Sequence, residues 1–303
     1  MKKIQKYKEA YKREMNEEMM WDVCIKKTGE NDQWHIIKMA RSRYWAADPF
    51  LIFNDGFLYL FYERFDRKRR IGEIAVAKIG DDFKSQEEKV VLSKQYHLSF
   101  PNVFELNGHY FMIPETQSNN SIEIYRCNDF PFSWEFYKTI DGNIQAVDTI
   151  VLEQNESSVV LLTSIIDGGS CIVENWKIYL DSDFNFVSKE KVKDFNDYGN
   201  RNAGKIFTNG GKKIRPGQDC RNGEYGVGIV FYEVSSSSEI EIAYKTPKDF
   251  GISNTKYDGC HTYNSSSLFE TIDLRYTRKR TIFEKFVFFL RLGKNYVKRR
   301  LRH

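Results

Sequence analysis

A segment of about fifty residues recurs five times along the chain, and this repeat constrains the fold more than any other feature of the sequence. Each copy reads as apolar strand, tight turn, apolar strand and polar group. The copies cover 48–63, 100–115, Asp148–Ser164, Ala203–Asp219 and Asp258–Asp273, so that successive copies start 48–55 residues apart. A period of this size built from short strands is typical of propeller blades. The sequence therefore predicts an all-β, five-bladed β-propeller.

The turns and strands of each blade are also readable. Hairpin turns are expected at 54–56, 106–108 and 209–211, where Asn, Asp and Gly tolerate a positive φ. Third strands are expected at 72–77 and 122–126. The alternating segment 21–27 predicts a strand that pairs with the last strand of the chain, which would close the ring and remove an exposed sheet edge.

Three regions follow from this organisation. Residues 1–20 are charged and predict an N-terminal helical cap, 21–277 the propeller, and 278–303 a basic amphipathic tail. The tail holds ten Lys and Arg against one acid, Glu284, whereas the formal net charge of the whole chain is only +4. Because the body is therefore mildly acidic, a nucleic-acid-binding face is not expected. The tail has two open interpretations: a helix on an anionic membrane surface, or a helix packed on the body with its cationic side solvated.

The location is predicted from the cysteines and the N-terminus. The five cysteines include no C-x-x-C pair, the N-terminus lacks the apolar stretch of a signal peptide, and no apolar run is long enough for a membrane span. We expect a cytoplasmic protein, peripheral at the inner face of the membrane if the tail binds lipid.

In a propeller, corresponding positions of every blade surround one central funnel, and here those positions are rich in polar residues. First-strand starts include Asp48, Asp148 and Arg201, and second-strand ends include Glu63, Glu115, Asp219 and Asp273. His97, Arg215, Gln218 and His261 flank them. Two acids across a pocket suit glycosidic chemistry, because one can handle a proton while the other stabilises cationic character at the anomeric carbon.

Each of these signals has a structural alternative. Asp48 and Asp148 could simply cap their own turns. The arginines and carboxylates could form a purely structural network, or bind a phosphate or uronate. Phosphate-binding glycine loops and a G-x-S-x-G element do not occur in the sequence, so neither a nucleotide-binding domain nor a serine hydrolase is expected. No metal site and no cofactor are predicted.

Several motifs together resemble a known family. They are 47–50 with 59–63 and 72–75, then 97–101 with 112–115, and 203–206 with 215–220 and 225–226. The chain resembles, over roughly 20–275, the propeller domain of glucosamine inositolphosphorylceramide transferases and of many bacterial proteins of surface-polysaccharide loci. The resemblance implies a five-bladed propeller and a role in glycan assembly. In the plant members this domain accompanies a separate glycosyltransferase domain.

The domain is also similar to five-bladed furanosidase and invertase-type glycoside hydrolases. Those enzymes use an Asp in blade one, an Asp in blade three and a Glu acid in blade four. Asp48 and Asp148 match the first two, whereas the fourth copy begins 201–204 without a carboxylate, so Asp219 or Glu115 would have to replace the acid. An arginine at this place suits a leaving group that is already anionic.

Three functions are therefore expected, the first being preferred. The first is a glycosyltransferase for capsule, O-antigen or a similar glycan, using an activated phosphate-containing sugar donor and a glycan or lipid-linked acceptor. Asp48 would be the base or stabiliser, Asp148 would position sugar hydroxyls, Arg201 and Arg215 would bind phosphate, and Glu115 and Asp219 would orient them. The second is a furanosidase-like hydrolase, and the third is a non-catalytic carbohydrate-binding propeller that assists a partner glycosyltransferase.

Overall fold

The computed structural model describes residues 12–29, 33–38, 43–169, 171–192, 199–221, 224–235 and 238–290. Its strands form five four-stranded sheets built from antiparallel hairpins, which confirms the five-bladed propeller. In the first four blades the strands follow one another in chain order.

Blade one contains β3–β6, blade two β7–β10, blade three β11–β14 and blade four β15–β18. The strands of blade one are, in order, Tyr44–Asn54, Phe57–Asp66, Ile71–Ile79 and Ser85–Leu92. Those of blade two are Ser99–Leu106, His109–Thr116, Ser121–Asp129 and Ser133–Gly142. The strands of blade three are Ala146–Asn155, Ser158–Gly169, Ile172–Asp181 and Phe186–Lys191. Those of blade four are Phe207–Asn209, Lys212–Gln218, Ile229–Val234 and Glu239–Lys245. One short 3-10 helix, Gln117–Asn119, follows β8.

Blade five joins the two ends of the chain, as the sequence predicts. Its order is β19–β20–β1–β2, with β19 Tyr263–Ser265, β20 Phe269–Lys279, β1 Glu17–Lys27 and β2 His35–Ile37. Thr271 of β20 donates a side-chain hydrogen bond of 2.8 Å to the Cys24 carbonyl of β1. The closing contact is therefore made by strands from opposite ends of the sequence, and β1 pairs with an edge of β20 that would otherwise be exposed.

The predicted hairpin turns form where the sequence can adopt the left-handed region. Asp55 and Gly56 have φ of 50° and 80°, and Asn107 and Gly108 have φ of 50° and 76°. Two consecutive positive φ angles match the right-handed twist of the flanking strands, which is why Asn, Asp and Gly occur there.

The hydrophobic core lies between neighbouring blades. Phe50 and Phe61 of blade one, Phe100 and Met112 of blade two and Ile150 of blade three belong to one fully buried cluster. Phe50 and Phe100 meet edge to face with ring centroids 4.9 Å apart. Burying such side chains contributes roughly 1.5–3 kcal/mol each, so the apolar faces that the repeat supplies hold adjacent blades together.

The chain divides into two compact units, Trp21–Leu274 and a smaller unit of Met1–Met20 with Arg275–His303. A short N-terminal helix is confirmed at 12–16, but β1 already begins at Glu17, so residues 17–20 are strand and not helix as predicted. A C-terminal helix is confirmed at 282–290. Residues 1–11 and 291–303 of the predicted cap and tail lie outside the described residues, and the predicted division into domains stays a prediction.

Candidate functional site

A cavity of about 230 Å³ gathers side chains from all five blades. Seven of the predicted site residues line it: Asp48, Glu63, His97, Glu115, Asp148, Arg201 and His261. The remaining lining residues are Trp21, Trp45, Ala47, Ser99 and Tyr225. Since these residues are far apart in sequence and come from every blade, the cavity is the shared funnel that the repeat predicts.

The first strands of blades one to three share a backbone device at this funnel. Asp48, Phe100 and Asp148 have φ of 52°, 45° and 50°, in the left-handed region that L-residues rarely adopt. Each lies at an interruption of the strand register, between 47 and 50, 99 and 102, and 147 and 150. Such bulges re-aim a side chain and persist only when neighbours hold them in place.

This device corrects one expectation. Asp48 and Asp148 do not start their strands, because β3 begins at Tyr44 and β11 at Ala146. The hairpin ladder resumes after the bulge, so the strand can both carry the acid and continue toward the outside of the blade. Glu63 likewise lies inside β4 and not at its end.

Carboxylates from neighbouring blades hold the left-handed residues. The Asp48 amide donates to the Asp273 carboxylate at 3.1 Å, and the Phe100 amide donates to the Asp48 carboxylate at 3.1 Å. The Asp148 amide hydrogen-bonds the Glu115 carboxylate. Each acid therefore satisfies the backbone of the next blade, which fixes the positions of the acids themselves.

His261 lies between two of these acids. Its Nε2 is 3.2 Å from Asp48 Oδ1 and its Nδ1 is 2.8 Å from Asp273 Oδ2. Burial alone would lower the pKa of His261, but Asp273 and Asp48 outweigh it and raise the pKa to about 10. Burial alone would raise the pKa of Asp48, but His261 and the hydrogen bonds from Thr262 and Phe100 outweigh burial and bring the pKa below its usual value. Asp48 is therefore an ionised carboxylate beside an imidazolium.

The same three groups come within 4.8 Å of one another and so satisfy the distance requirement of a metal site. However, the two carboxylates face opposite nitrogens of one imidazole ring. A single ion cannot use both nitrogens, whereas a doubly protonated ring places positive charge next to both carboxylates. The arrangement therefore fits an imidazolium better than a bound metal ion.

The pKa shift of Glu115 has the opposite direction to that of Asp48. Arg201 Nε lies 2.5 Å from Asp148 Oδ2, and its Nη2 lies 3.7 Å from Glu115 Oε2. Burial and the charge of Asp148 raise the pKa of Glu115 to about 8 despite the nearby guanidinium. The pKa of Asp148 is also raised by burial, against the pull of Arg201. At neutral pH Glu115 is thus a protonated carboxyl group in the lining of the cavity.

Glu63 and His97 form a third group. The Gly72 amide donates to His97 Nδ1 at 2.9 Å, which places the proton of the neutral ring on Nε2, 3.5 Å from Glu63 Oε1. Burial lowers the pKa of His97 and raises the pKa of Glu63 well above its usual value. Gly72 is needed here, because a Cβ would lie 2.3 Å from the Leu98 carbonyl oxygen and 2.6 Å from Glu63 Oε1.

The four other predicted residues do not line the cavity. Arg215 is completely buried and pairs with Glu239 at 2.7 Å, so this side chain is directed into the blade and does not support the phosphate-binding role expected for it. Gln218 donates to the Asn202 carbonyl at 2.9 Å, and Asp219 pairs with Arg221 at 3.0 Å. Asp273 contacts the Asp48 amide and the His261 ring, and so supports two residues that do line the cavity. The dense polar cluster of 215–220 is thus mainly part of the framework of blade four.

Sequence reasoning missed the aromatic lining of the cavity. The Trp21 ring lies 4.1 Å from the His261 ring, and the Tyr225 ring lies 5.1 Å from the His261 ring and 5.1 Å from the Arg201 guanidinium. Trp45 stacks on Phe65 at 4.3 Å. A large aromatic three residues before the repeat acid Asp48 was the available signal for Trp45. Flat apolar surfaces next to fixed polar groups suit the mixed character of a sugar ring.

Comparison with known proteins gives consistent relationships. The model of the family described as "Glucosamine inositolphosphorylceramide transferase 1, N-terminal" matches residues 33–266. Glucosamine inositolphosphorylceramide transferase 1 of Oryza sativa subsp. japonica is 28% identical over 220 residues, covering 70% of this chain and 29% of the relative. The Arabidopsis thaliana protein of the same name is 33% identical over 188 residues, covering 57% and 23%. The chain therefore spans less than a third of the length of these relatives.

Among solved structures, β-1,2-mannobiose phosphorylase from Listeria innocua superposes with a TM-score of 0.57 at 10% identity, covering 86% of this chain and 98% of that one. The GH62 α-L-arabinofuranosidase catalytic domain of Coprinopsis cinerea gives a TM-score of 0.56 at 13% identity, covering 84% and 97%. At such low identity these similarities show the fold alone.

Proposed function

The chain belongs to the family of the N-terminal region of glucosamine inositolphosphorylceramide transferase 1, and from this premise we propose that it is a glycosyltransferase-type enzyme whose sugar lies in the central cavity. The proposed reaction transfers a sugar from an activated, phosphate-containing donor to a glycan or lipid-linked acceptor. The finer setting that we propose is bacterial surface-polysaccharide assembly at the cytoplasmic side of the membrane. A partner glycosyltransferase is compatible with this role.

The proposal rests on one observation: two acids that line the same cavity have pKa values shifted in opposite directions. The pKa of Asp48 is held below its usual value, whereas that of Glu115 is raised to about 8. Two carboxyl groups whose environments separate their pKa values are the arrangement that acid–base chemistry at a glycosidic bond requires.

The roles follow from this difference. Ionised Asp48 stabilises positive charge at the anomeric carbon as the bond to the leaving oxygen breaks. Protonated Glu115 gives its proton to that oxygen, and the resulting carboxylate takes a proton from the acceptor hydroxyl as the new bond forms. Asp148 positions sugar hydroxyls, and the aromatic lining orients the ring.

Arg201 is our candidate for contacting the donor phosphate, because it is the arginine that lines the cavity among the residues that the structure describes. Its charge is largely balanced by Asp148 at 2.5 Å. The cavity therefore favours a sugar ring over a bare phosphate, and we place the rest of the donor toward the solvent side.

One observation favours a second candidate, a glycoside hydrolase. A carboxyl group that stays protonated at neutral pH is most useful for a poor leaving group such as a sugar alkoxide, whereas a phosphate, which is a better leaving group, depends less on protonation. Glu115 is the group that would supply this proton, since Asp219, the other replacement considered, pairs with Arg221 and does not line the cavity.

A substrate screen with the purified full chain distinguishes these functions. Nucleotide sugars with glycan acceptors test transfer by mass spectrometry, and aryl furanosides and pentosides without a donor test hydrolysis. We expect nucleotide or phosphate release that Asp48→Asn abolishes and Glu115→Gln strongly reduces. Asp55→Asn and Glu105→Gln are matched controls, because both residues are exposed and outside the cavity.

Two results would contradict the proposal. Hydrolysis of aryl glycosides with no donor requirement would favour the second candidate. Glycan binding that persists in Asp48→Asn, with no turnover of any substrate by the parent protein, would identify a non-catalytic carbohydrate-binding propeller.

A further inference from the structure

The C-terminal helix at 282–290 directs its apolar side chains outward. Five of its residues are 50–88% exposed. They are Ile282, Phe283, Phe286, Phe289 and Leu290, and we call them the outer stripe. With about 100° per residue in an α-helix, this spacing places all five within an arc of roughly 120°.

The other side of the helix is already occupied within the smaller unit. Phe288 is only 9% exposed, and the Arg280 guanidinium lies 5.1 Å from its ring. Lys285 Nζ donates to Asn16 Oδ1 at 2.7 Å. A surface helix of a soluble protein normally buries its apolar stripe and exposes its charges, so the orientation here is reversed.

The beginning of the helix is defined by its own sequence. The Thr281 amide donates to Glu284 Oε2 at 2.8 Å, and the Glu284 amide donates to Thr281 Oγ1 at 3.3 Å. This reciprocal pair is a capping box. Glu284 also pairs with Arg278, which in turn lies 2.7 Å from Glu18. These contacts anchor the helix to the segment around 14–18, so that the outer stripe cannot easily rotate inward.

Charge indicates what covers the stripe. The sequence from 278 to 303 holds ten Lys and Arg, and its one acid, Glu284, is paired with Arg278. A basic segment that presents large apolar side chains has the composition of an interfacial helix, whose apolar face enters the lipid while its cations meet anionic headgroups. A protein partner with an apolar groove would not require this excess of positive charge.

We propose that the outer stripe docks the protein on an anionic membrane surface, with the helix lying in the plane of the interface. The nine helical residues that the structure describes extend about 14 Å. Within the described part of the chain, no helix has the length and apolarity that crossing a bilayer requires. This inference does not depend on the chemistry of the cavity.

Vesicle co-sedimentation of the full chain tests the proposal. Mixed vesicles of phosphatidylcholine and anionic phosphatidylglycerol, whose negative surface attracts basic segments, are compared with pure phosphatidylcholine. We expect binding to the anionic vesicles only. The triple variant Phe283→Ser, Phe286→Ser, Phe289→Ser should weaken that binding by at least about tenfold.

A matched triple variant controls for loss of exposed apolar surface in general. Phe136→Ser, Phe186→Ser and Ile240→Ser change three side chains on the blades that are 50–62% exposed, and binding should be unchanged. In a separate variant, Phe286→Trp, the fluorescence difference from the parent protein should shift to the blue on anionic vesicles, which reports insertion of the stripe itself.

The proposal is overturned by any of three results. The stripe variant could bind as well as the parent, which would leave the basic charge alone responsible. The Phe286→Trp difference spectrum could remain that of a solvated indole. Alternatively, the parent could be a dimer that the stripe variant converts to a monomer without any vesicle binding by either, which would assign the stripe to a second copy of the chain.

Discussion

Nε2 of His261 lies 3.2 Å from Oδ1 of Asp48, and this ion pair joins blade five to blade one. Blade five is the blade in which the two ends of the chain meet. Asp273 holds the other ring nitrogen at 2.8 Å. The charge of the central acid is thus set by a residue that reaches it only when the ring is closed.

The ion pair predicts how stability depends on pH. The pKa of His261 rises from 6.5 in the unfolded chain to about 10, so its contribution is complete below about pH 6.5 and is lost as the pH rises toward 10. The pKa of Asp48 is lowered, so its contribution is lost instead as the pH falls below its usual value of about 4. The pair therefore stabilises the fold most between these limits.

Thermal unfolding of the parent and of His261→Gln measures this effect. The difference in Tm should be largest near pH 6 and should shrink as the pH approaches 10. His109→Gln, which changes an exposed histidine, should show no such trend. A difference between parent and His261→Gln that is constant from pH 6 to 10 would mean that His261 is not an imidazolium in the folded protein.

Glu115→Gln should change stability in a different way. The pKa of Glu115 is raised from 4.5 to about 8, so the parent protein loses stability as the pH rises through this range, because a buried charge forms. The glutamine variant cannot ionise, and it should be the more stable protein at pH 9, by at most a few kcal/mol. Urea unfolding at pH 5 and pH 9 measures the change, with Glu105→Gln as the exposed control. An identical pH response in parent and variant would contradict the raised pKa.

Arg201 and Asp148 should behave as a coupled buried pair. Removing one partner leaves the other buried charge unpaired. Arg201→Met is therefore expected to lower the free energy of unfolding by about 3–5 kcal/mol. Adding Asp148→Asn should recover part of this loss, and a double-mutant cycle from urea unfolding gives the coupling. The exposed pair Lys212–Glu233, 2.8 Å apart, is the control and should couple by no more than about 1 kcal/mol. Additive effects at the buried pair would be inconsistent with the contact.

Gly72→Ala should disturb the Glu63–His97 group. The new Cβ would come 2.3 Å from the Leu98 carbonyl oxygen and 2.8 Å from His97 Cε1, so we expect a loss of about 1–3 kcal/mol. Gly142→Ala is the matched control, because nothing lies within 4 Å of its Cβ, and its effect should be within about 0.5 kcal/mol. Urea unfolding of both variants measures this, and equal effects would contradict the tight packing at Gly72.

The repeat alone was sufficient for the architecture. Apolar alternation and the Asp-Gly and Asn-Gly turns are local properties, and they determine where strands and hairpins form. The alternating segment that starts at Trp21 likewise indicated the strand that closes blade five. The same reasoning brought Asp48, Asp148, Glu115 and Arg201 to one funnel, because equivalent positions of a propeller converge.

What the residues do at the funnel was decided by the tertiary structure. Arg215 and Arg201 have the same chemistry in the sequence, but the blade-four framework directs Arg215 to Glu239 while Arg201 lines the cavity beside Asp148. Likewise, Asp48 and Glu115 are ordinary acids in the sequence, and only the distances to His261, Asp273 and Asp148 and the burial around them separate their pKa values. Strand pairing depends on patterns within a few residues, whereas the direction of a side chain and the field around it depend on atoms that the closed ring brings together from distant parts of the chain.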